Sequence, residues 1–122
     1  MCTCISEIKE KEMKTNALKL FRTAVTAADP YECVKQHLIF HNNNQLNDDN
    51  AELHIGNNHI TFNHNLYVAA FGKAAIAMCR AVDELCHKHI IKGIASVPVG
   101  AIEQAKRKDL HATTHIVYVD FN

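Results

Sequence analysis

The sequence predicts an α/β fold with a mostly parallel sheet, two N-terminal helices and a small β-hairpin. Three observations support this class. The second half of the chain alternates short apolar runs with helical patterns, as strands joined by crossover helices do. The first half opens with a helical pattern that runs into Asp-Pro, a helix start signal. Between the halves, alternating apolar residues flank Gly-Asn-Asn, which indicates a hairpin.

The first helix is predicted over residues 6–28 and is amphipathic. Its apolar residues recur at three- and four-residue spacing: Ala17, Leu18, Phe21, Ala24, Val25 and Ala28. A second helix begins at Asp29 and Pro30, since aspartate caps a helix and proline suits its first position. Glu32 completes a pattern similar to a capping box. We expect this helix to end near His41 and to turn three apolar residues inward: Val34, Leu38 and Ile39.

Residues 41–50, "HNNNQLNDDN", are polar and lack periodicity, which predicts a flexible loop. The hairpin follows, and the histidines around it are interpreted as surface residues: His54, His59 and His64. The second half then predicts a strand at 66–71, a helix from 73 to about 87, a strand at 91–97, a short helix at 101–108 and a strand at 115–119.

Composition excludes several functional classes. The chain has 122 residues, enough for one domain, and its net charge of zero at pH 7 gives no electrostatic footprint for nucleic acid or an anionic membrane. The N-terminus has no apolar signal segment, and no apolar run approaches the roughly 20 residues that span a bilayer. Five irregularly spaced cysteines are typical of free thiols. We therefore expect a soluble, cytoplasmic protein.

Gly72 and Lys73 lie at a predicted strand-to-helix turn, where ligands bind in parallel sheets. A helix N-terminus favours anions, glycine lets the backbone approach a ligand, and lysine adds a charge. The pattern is not a Walker A loop, because Tyr67 stands where that loop needs glycine and Ala74 where it needs Ser or Thr. From these residues alone, Lys73 is equally well a phosphate contact or a solvated lysine.

The next strand ends in "SVPVG", from Ser96 to Gly100. These residues either terminate the strand or turn backbone N–H groups toward Lys73, and spacing does not separate the two interpretations. We predict no metal site: Cys79 and Cys86 fall on the apolar face of a helix, where cysteine acts as a small hydrophobic residue.

Taken together, "ALKLFRTAVTAADP", "NLYVAAFGKAAIAM", "DEL" and "KGIASVPVG" resemble the N-terminal part of the D-glycerate kinases of the MOFRL-associated family. The resemblance runs from about residue 17 to residue 102. It implies that residues 1–122 are part of a Rossmann-like, three-layer N-terminal domain, which is incomplete here. It also implies transfer of the ATP γ-phosphoryl group to a hydroxyl of D-glycerate with a divalent metal, taken as Mg²⁺.

The resemblance places Lys73 at the active-site cleft as a catalytic residue. It implies that Gly72, Lys73, Ser96 and Gly100 bind substrate or phosphate, with glycerate and ATP as partners. The chain departs from the family at Val99, where close relatives often have lysine. It also lacks the Ser-Gly-Gly-Gly-Ser segment and the second domain, which would hold most of the ATP and Mg²⁺ contacts. We therefore expect an inactive fragment of the kinase.

Two alternatives remain open at this stage. A sugar isomerase-like module would bind a sugar phosphate at the same turn, although such modules usually carry Ser or Thr where this chain has Ala74 and Ala75. A non-catalytic remnant would fold or associate without chemistry. The sequence does not indicate the oligomeric state.

Overall fold

The computed structural model describes residues 2–42, 50–110, 113 and 115–121, with only the backbone described for residues 2–6 and 42. Along these residues the chain forms α1 (Cys2–Ala27), α2 (Pro30–His37), β1 (Leu38–Asn42), β2 (Ala51–Ile55), β3 (Asn58–Phe62), β4 (Leu66–Phe71), α3 (Ala75–Cys86), a 3-10 turn (His87–His89), β5 (Ile90–Pro98), α4 (Ala101–Arg107) and β6 (Ile116–Phe121). The α/β class, the parallel sheet and the two N-terminal helices are confirmed.

Helix α2 begins as predicted. The Asp29 side chain accepts hydrogen bonds from the backbone N–H groups of Tyr31 (2.9 Å) and Glu32 (3.2 Å), and proline occupies the first turn. These bonds satisfy N–H groups that have no partner inside the helix.

The predicted end of α2 near His41 is wrong. The helix ends at His37, and Leu38 adopts an extended backbone that starts β1. Phe40 explains the change, because in the strand its ring packs against Phe62 and His89, with centroids 6.3 and 5.6 Å away. Phe62 and His89 are more than 20 residues from Phe40 in the sequence, so local helical periodicity could not predict these contacts. The predicted hairpin is therefore part of a three-stranded antiparallel sheet in the order β1-β2-β3.

The loop predicted at 41–50 starts later than expected, since residues 41 and 42 belong to β1. Residues 43–49 lie outside the described part of the chain. The turn between β2 and β3 contains Gly56 with a φ of 58°, a left-handed conformation that glycine adopts without steric cost.

Strands β4, β5 and β6 form a parallel sheet in that order. Both crossover helices, α3 and α4, pack on one face, and the core between them is formed by Ala75, Ile76, Cys79, Ala95, Val97, Ala105 and Ile116. Alternation along the strands turns the other side chains to the opposite face. There Tyr67, Phe71 and Val117 are 68%, 77% and 58% exposed, so no helix of the described residues covers this face. The third layer that the resemblance implies is therefore not present among the described residues.

Helix α1 lies largely outside both cores. Leu18, Phe21 and Val25, which the sequence places on its apolar stripe, are exposed. Its link to α2 includes a weak hydrogen bond from the Cys33 thiol to the Ala27 carbonyl oxygen, 3.6 Å long. Within the described residues, no helix combines the length and apolarity that a bilayer-spanning segment requires.

The antiparallel sheet packs at the amino ends of the parallel strands. Its buried residues Leu53 and Phe62 share a second core with Cys86, at the end of α3, and Ile90, the first residue of β5. The opposite, carboxyl edge of the parallel sheet is therefore separate from the antiparallel sheet. The antiparallel sheet therefore does not cover the carboxyl edge, which is where ligands bind in parallel sheets.

Two buried thiols make the stability of the domain depend on pH in the alkaline range. Cys79 and Cys86 are each 1% exposed, and burial raises the pKa of both thiols from the usual 9.0 to about 11. The unfolded chain therefore loses these protons first. The stability they contribute is complete below pH 9 and is lost as the pH rises toward 11. We expect urea unfolding to show a falling free energy of unfolding over this pH interval.

The double variant Cys79→Ala/Cys86→Ala is the control for this effect. Its free energy of unfolding should start lower, because two buried side chains are truncated, but should fall less steeply with pH. Equal slopes in the two proteins would show that the thiols do not contribute.

Candidate functional site

The turn between β4 and α3 is built around Gly72. Its φ is 99°, a region that residues with a Cβ rarely adopt. In this conformation the Gly72 N–H donates to the carbonyl oxygen of Ser96 at 2.9 Å, and the Gly72 carbonyl oxygen accepts from the Ala75 N–H at 3.1 Å. The first hydrogen bond connects the turn to the neighbouring strand β5, and the second connects it to the first residue of α3. Lys73 is therefore carried on a fixed turn.

Lys73 lies in this turn, before the Ala74 N-cap and two residues before the first residue of α3. The predicted helix start at residue 73 is corrected accordingly. The Lys73 side chain is exposed, and among the described residues it forms no salt bridge. The alanine N-cap provides no side-chain hydrogen bond to the helix. Uncapped N–H groups and a free ammonium together suit an anion such as a phosphate or carboxylate.

Ser96 contributes through its backbone. Its carbonyl oxygen holds Gly72, whereas its side chain alternates with the buried Ala95 and Val97 and so belongs to the open face of the sheet. Gly100 caps α4 with a left-handed φ of 82°, and its carbonyl oxygen accepts from the Gln104 N–H at 3.1 Å. The structure thus joins Gly72 and Ser96 directly and places Gly100 in the next turn at the same edge.

The cysteines predicted to be apolar behave as such, since Cys79 and Cys86 are buried in the two cores. Of the histidines interpreted as surface residues, His59 and His64 are exposed, whereas His54 is half-buried. The strand pairing brings Glu52, His54 and His59 together on one face of the antiparallel sheet. The available signal was the i, i+2 spacing of Glu52 and His54 followed by another histidine across the turn, but only the register shows that His59 meets them.

The fold and this edge define a class of protein: an α/β domain that presents a lysine at a strand-to-helix turn on the carboxyl side of a parallel sheet. The chain belongs to the family described as "Domain of unknown function (DUF4147)", which matches residues 16–118. The resemblance to glycerate kinases is also confirmed. The glycerate kinase of Bos taurus is 31% identical over 102 residues, and that of Danio rerio is 33% identical over 88 residues.

These matches cover most of this chain and a small part of each relative. The match to the Bos taurus protein covers 81% of this chain and 18% of that protein. The match to the Danio rerio protein covers 72% of this chain and 16% of that protein. The chain therefore spans less than a fifth of the length of these relatives. Among solved structures, the PH0495 protein of Pyrococcus horikoshii OT3 has the same fold, with a TM-score of 0.64 and 23% identity over 90% of this chain and 21% of that one.

Proposed function

We propose that this chain is the N-terminal part of an ATP-dependent D-glycerate kinase, which transfers the γ-phosphoryl group of ATP to a hydroxyl of D-glycerate and gives phosphoglycerate. The observation that carries the proposal is the similarity to proteins named glycerate kinase over 81% of the chain. The Gly72–Ser96 hydrogen bond supports it, because it holds Lys73 at the edge where ligands bind in parallel sheets. On its own the chain is expected to be inactive.

Lys73 is the proposed catalytic residue. Phosphoryl transfer depends mainly on positioning and on stabilising negative charge, and a cation on a rigid turn supplies both. Two roles are chemically suitable: Lys73 pairs with the glycerate carboxylate, or it neutralises charge on the phosphoryl group in transit. The backbone N–H groups that follow Gly72 would assist either role.

The residues of this turn fit an anion and do not fit Mg²⁺. Magnesium prefers oxygen ligands such as carboxylates and phosphates, whereas the Gly72–Lys73 turn offers N–H groups and an ammonium. When bound, Mg²⁺ would neutralise charge on the ATP phosphates. We propose that its protein ligands, and most ATP contacts, lie outside these 122 residues. A cytoplasmic location is part of the proposal, supported by the free thiols of Cys33, Cys79 and Cys86.

The test is an assay of the longest open reading frame that includes these 122 residues. We expect ATP-dependent formation of phosphoglycerate from D-glycerate, and much slower reaction of L-glycerate as the matched control. Binding of sugar phosphates without any phosphorylation of glycerate would instead indicate a sugar isomerase-like module. A folded protein with neither property would be a non-catalytic remnant.

A further inference from the structure

The outer face of the antiparallel sheet carries a compact group of metal-ligating side chains. Glu52 and His54 are two residues apart on β2 and therefore share a face. His59 on β3 lies directly opposite His54 in the register, and His41 on β1 lies directly opposite Glu52. The other face packs into the core, so the backbone under this group is held in place.

Two of the three distances within the group are close to those of a tetrahedral metal site. Glu52 Oε1 lies 3.2 Å from His54 Nε2 and 3.5 Å from His59 Nδ1, and the three ligand atoms all lie within 4.8 Å of one another. Zinc binds oxygen and nitrogen ligands at about 2.0–2.1 Å, and a tetrahedron of that size has ligand-to-ligand edges of about 3.3–3.4 Å. The two distances from Glu52 Oε1 differ from such an edge by about 0.1 Å.

His54 and Glu52 are in close polar contact. His54 Nε2 is buried from water, and the Glu52 carboxylate oxygen lies 3.2 Å from it. A separation of this size also suits two ligands of one ion, which would replace the direct contact between them.

We propose that Glu52, His54 and His59 bind a divalent transition-metal ion of the zinc class. The His41 ring stands edge-on to that of His54, with centroids 4.9 Å apart, but His41 is outside the group of three mutually close ligand atoms, so a water molecule or a rotated His41 would complete the coordination. His59 is 57% exposed, so the ion has a path from solvent. Imidazole nitrogen with one carboxylate favours zinc, nickel or copper over magnesium.

This site is separate from the proposed kinase edge. The antiparallel sheet packs on Ile90, at the amino end of β5, whereas Lys73 follows the carboxyl end of β4. The ion would therefore not take part in phosphoryl transfer. Its ligands come from both strands of the β2–β3 hairpin, so binding would fix the register of that hairpin and stabilise the folded state.

The test is calorimetric titration of the chain with ZnCl₂. Because free thiols also bind zinc, the starting protein carries Cys2→Ser, Cys4→Ser and Cys33→Ser, and retains the buried Cys79 and Cys86. We expect one equivalent to bind, with a rise in Tm. Loss of groups that merely orient a metal ligand costs about 10–100-fold in affinity, so His54→Ala should cost at least tenfold. His87→Ala, which removes an exposed histidine outside the group, should leave the affinity unchanged.

Three further measurements make the result decisive. Glu52→Gln keeps the size of the side chain, so weaker zinc binding in a folded Glu52→Gln protein would support coordination by the carboxylate. Cobalt(II) should give the intense visible absorption of a tetrahedral site, and MgCl₂ should give no binding heat. Equal zinc affinity in the starting protein, His54→Ala and His87→Ala would overturn the proposal, because such binding would be non-specific. Absence of binding would overturn it as well.

Discussion

If the protein is the proposed kinase, replacing Lys73 by alanine in the longest open reading frame is expected to lower kcat/KM for D-glycerate by about 10²–10³-fold, the usual cost of losing one preorganised electrostatic contact to a transition state. The protein should remain folded, because the Lys73 side chain is exposed and belongs to neither core. Steady-state kinetics with D-glycerate and ATP measure the effect. Circular dichroism and Tm verify the fold.

The division between kcat and KM separates the two roles proposed for Lys73. If the ammonium pairs with the glycerate carboxylate, Lys73→Ala mainly raises KM for glycerate. If it stabilises the phosphoryl group in transit, kcat falls and KM changes little. Lys73→Arg retains the charge and should recover part of the lost activity in either case.

Lys88→Ala is the matched control. Lys88 is also exposed, but it lies in the 3-10 turn that precedes β5, at the other end of the parallel sheet. Its replacement should leave kcat/KM within about twofold of the wild-type value, as surface changes away from a site usually do. Similar kinetics for Lys73→Ala, Lys88→Ala and wild type would show that Lys73 is a solvated surface lysine and not a catalytic residue.

Gly93→Ala is expected to be the most disruptive small change in the fold. An ideal Cβ at Gly93 would lie 2.8 Å from Ile116 Cγ1, 3.1 Å from Val68 Cβ and 3.2 Å from the Val68 carbonyl oxygen. Gly93 is on the central strand, so backbone lies on both sides and relaxation is limited. Overpacking of this kind costs about 1–3 kcal/mol. Urea unfolding of the 122-residue chain measures it.

A double-mutant cycle with Ile116→Ala tests the cause. Ile116→Ala removes the closest atom, so the added cost of Gly93→Ala should be smaller in that background. Ile94→Ala is the control on the same strand: Ile94 is 52% exposed on the open face, and its truncation should cost only about 0.5 kcal/mol or less. An unchanged cost of Gly93→Ala in the Ile116→Ala background would contradict the steric explanation.

Local signals predicted the elements whose cause is local. Asp29 and Pro30 start α2 because their hydrogen bond and fixed φ act within one turn. The strand at residues 66–71 was located without error, since an uninterrupted apolar run that stops at glycine has few other structures available. The position of Lys73 at the carboxyl edge then followed from the order of strand and helix, with an error of two residues in the helix start.

The missed features all depend on partners far along the chain. Residues 38–42 became a strand because Phe40 finds Phe62 and His89 in space, which outweighs a weak helical preference. The cluster of Glu52, His54 and His59 could not be predicted from the sequence for the same reason, because its members become neighbours only through the strand register.

The sequence by itself therefore determined the α/β class, the capped helix, the alternating strands and the choice of Lys73 as a candidate, because propensity and periodicity act over a few residues. Tertiary structure alone decided three things: the Gly72–Ser96 hydrogen bond, the lack of space at Gly93, and the meeting of His54 with His59. Each depends on strand pairing, and pairing is set by burying whole faces of a sheet and not by any single segment.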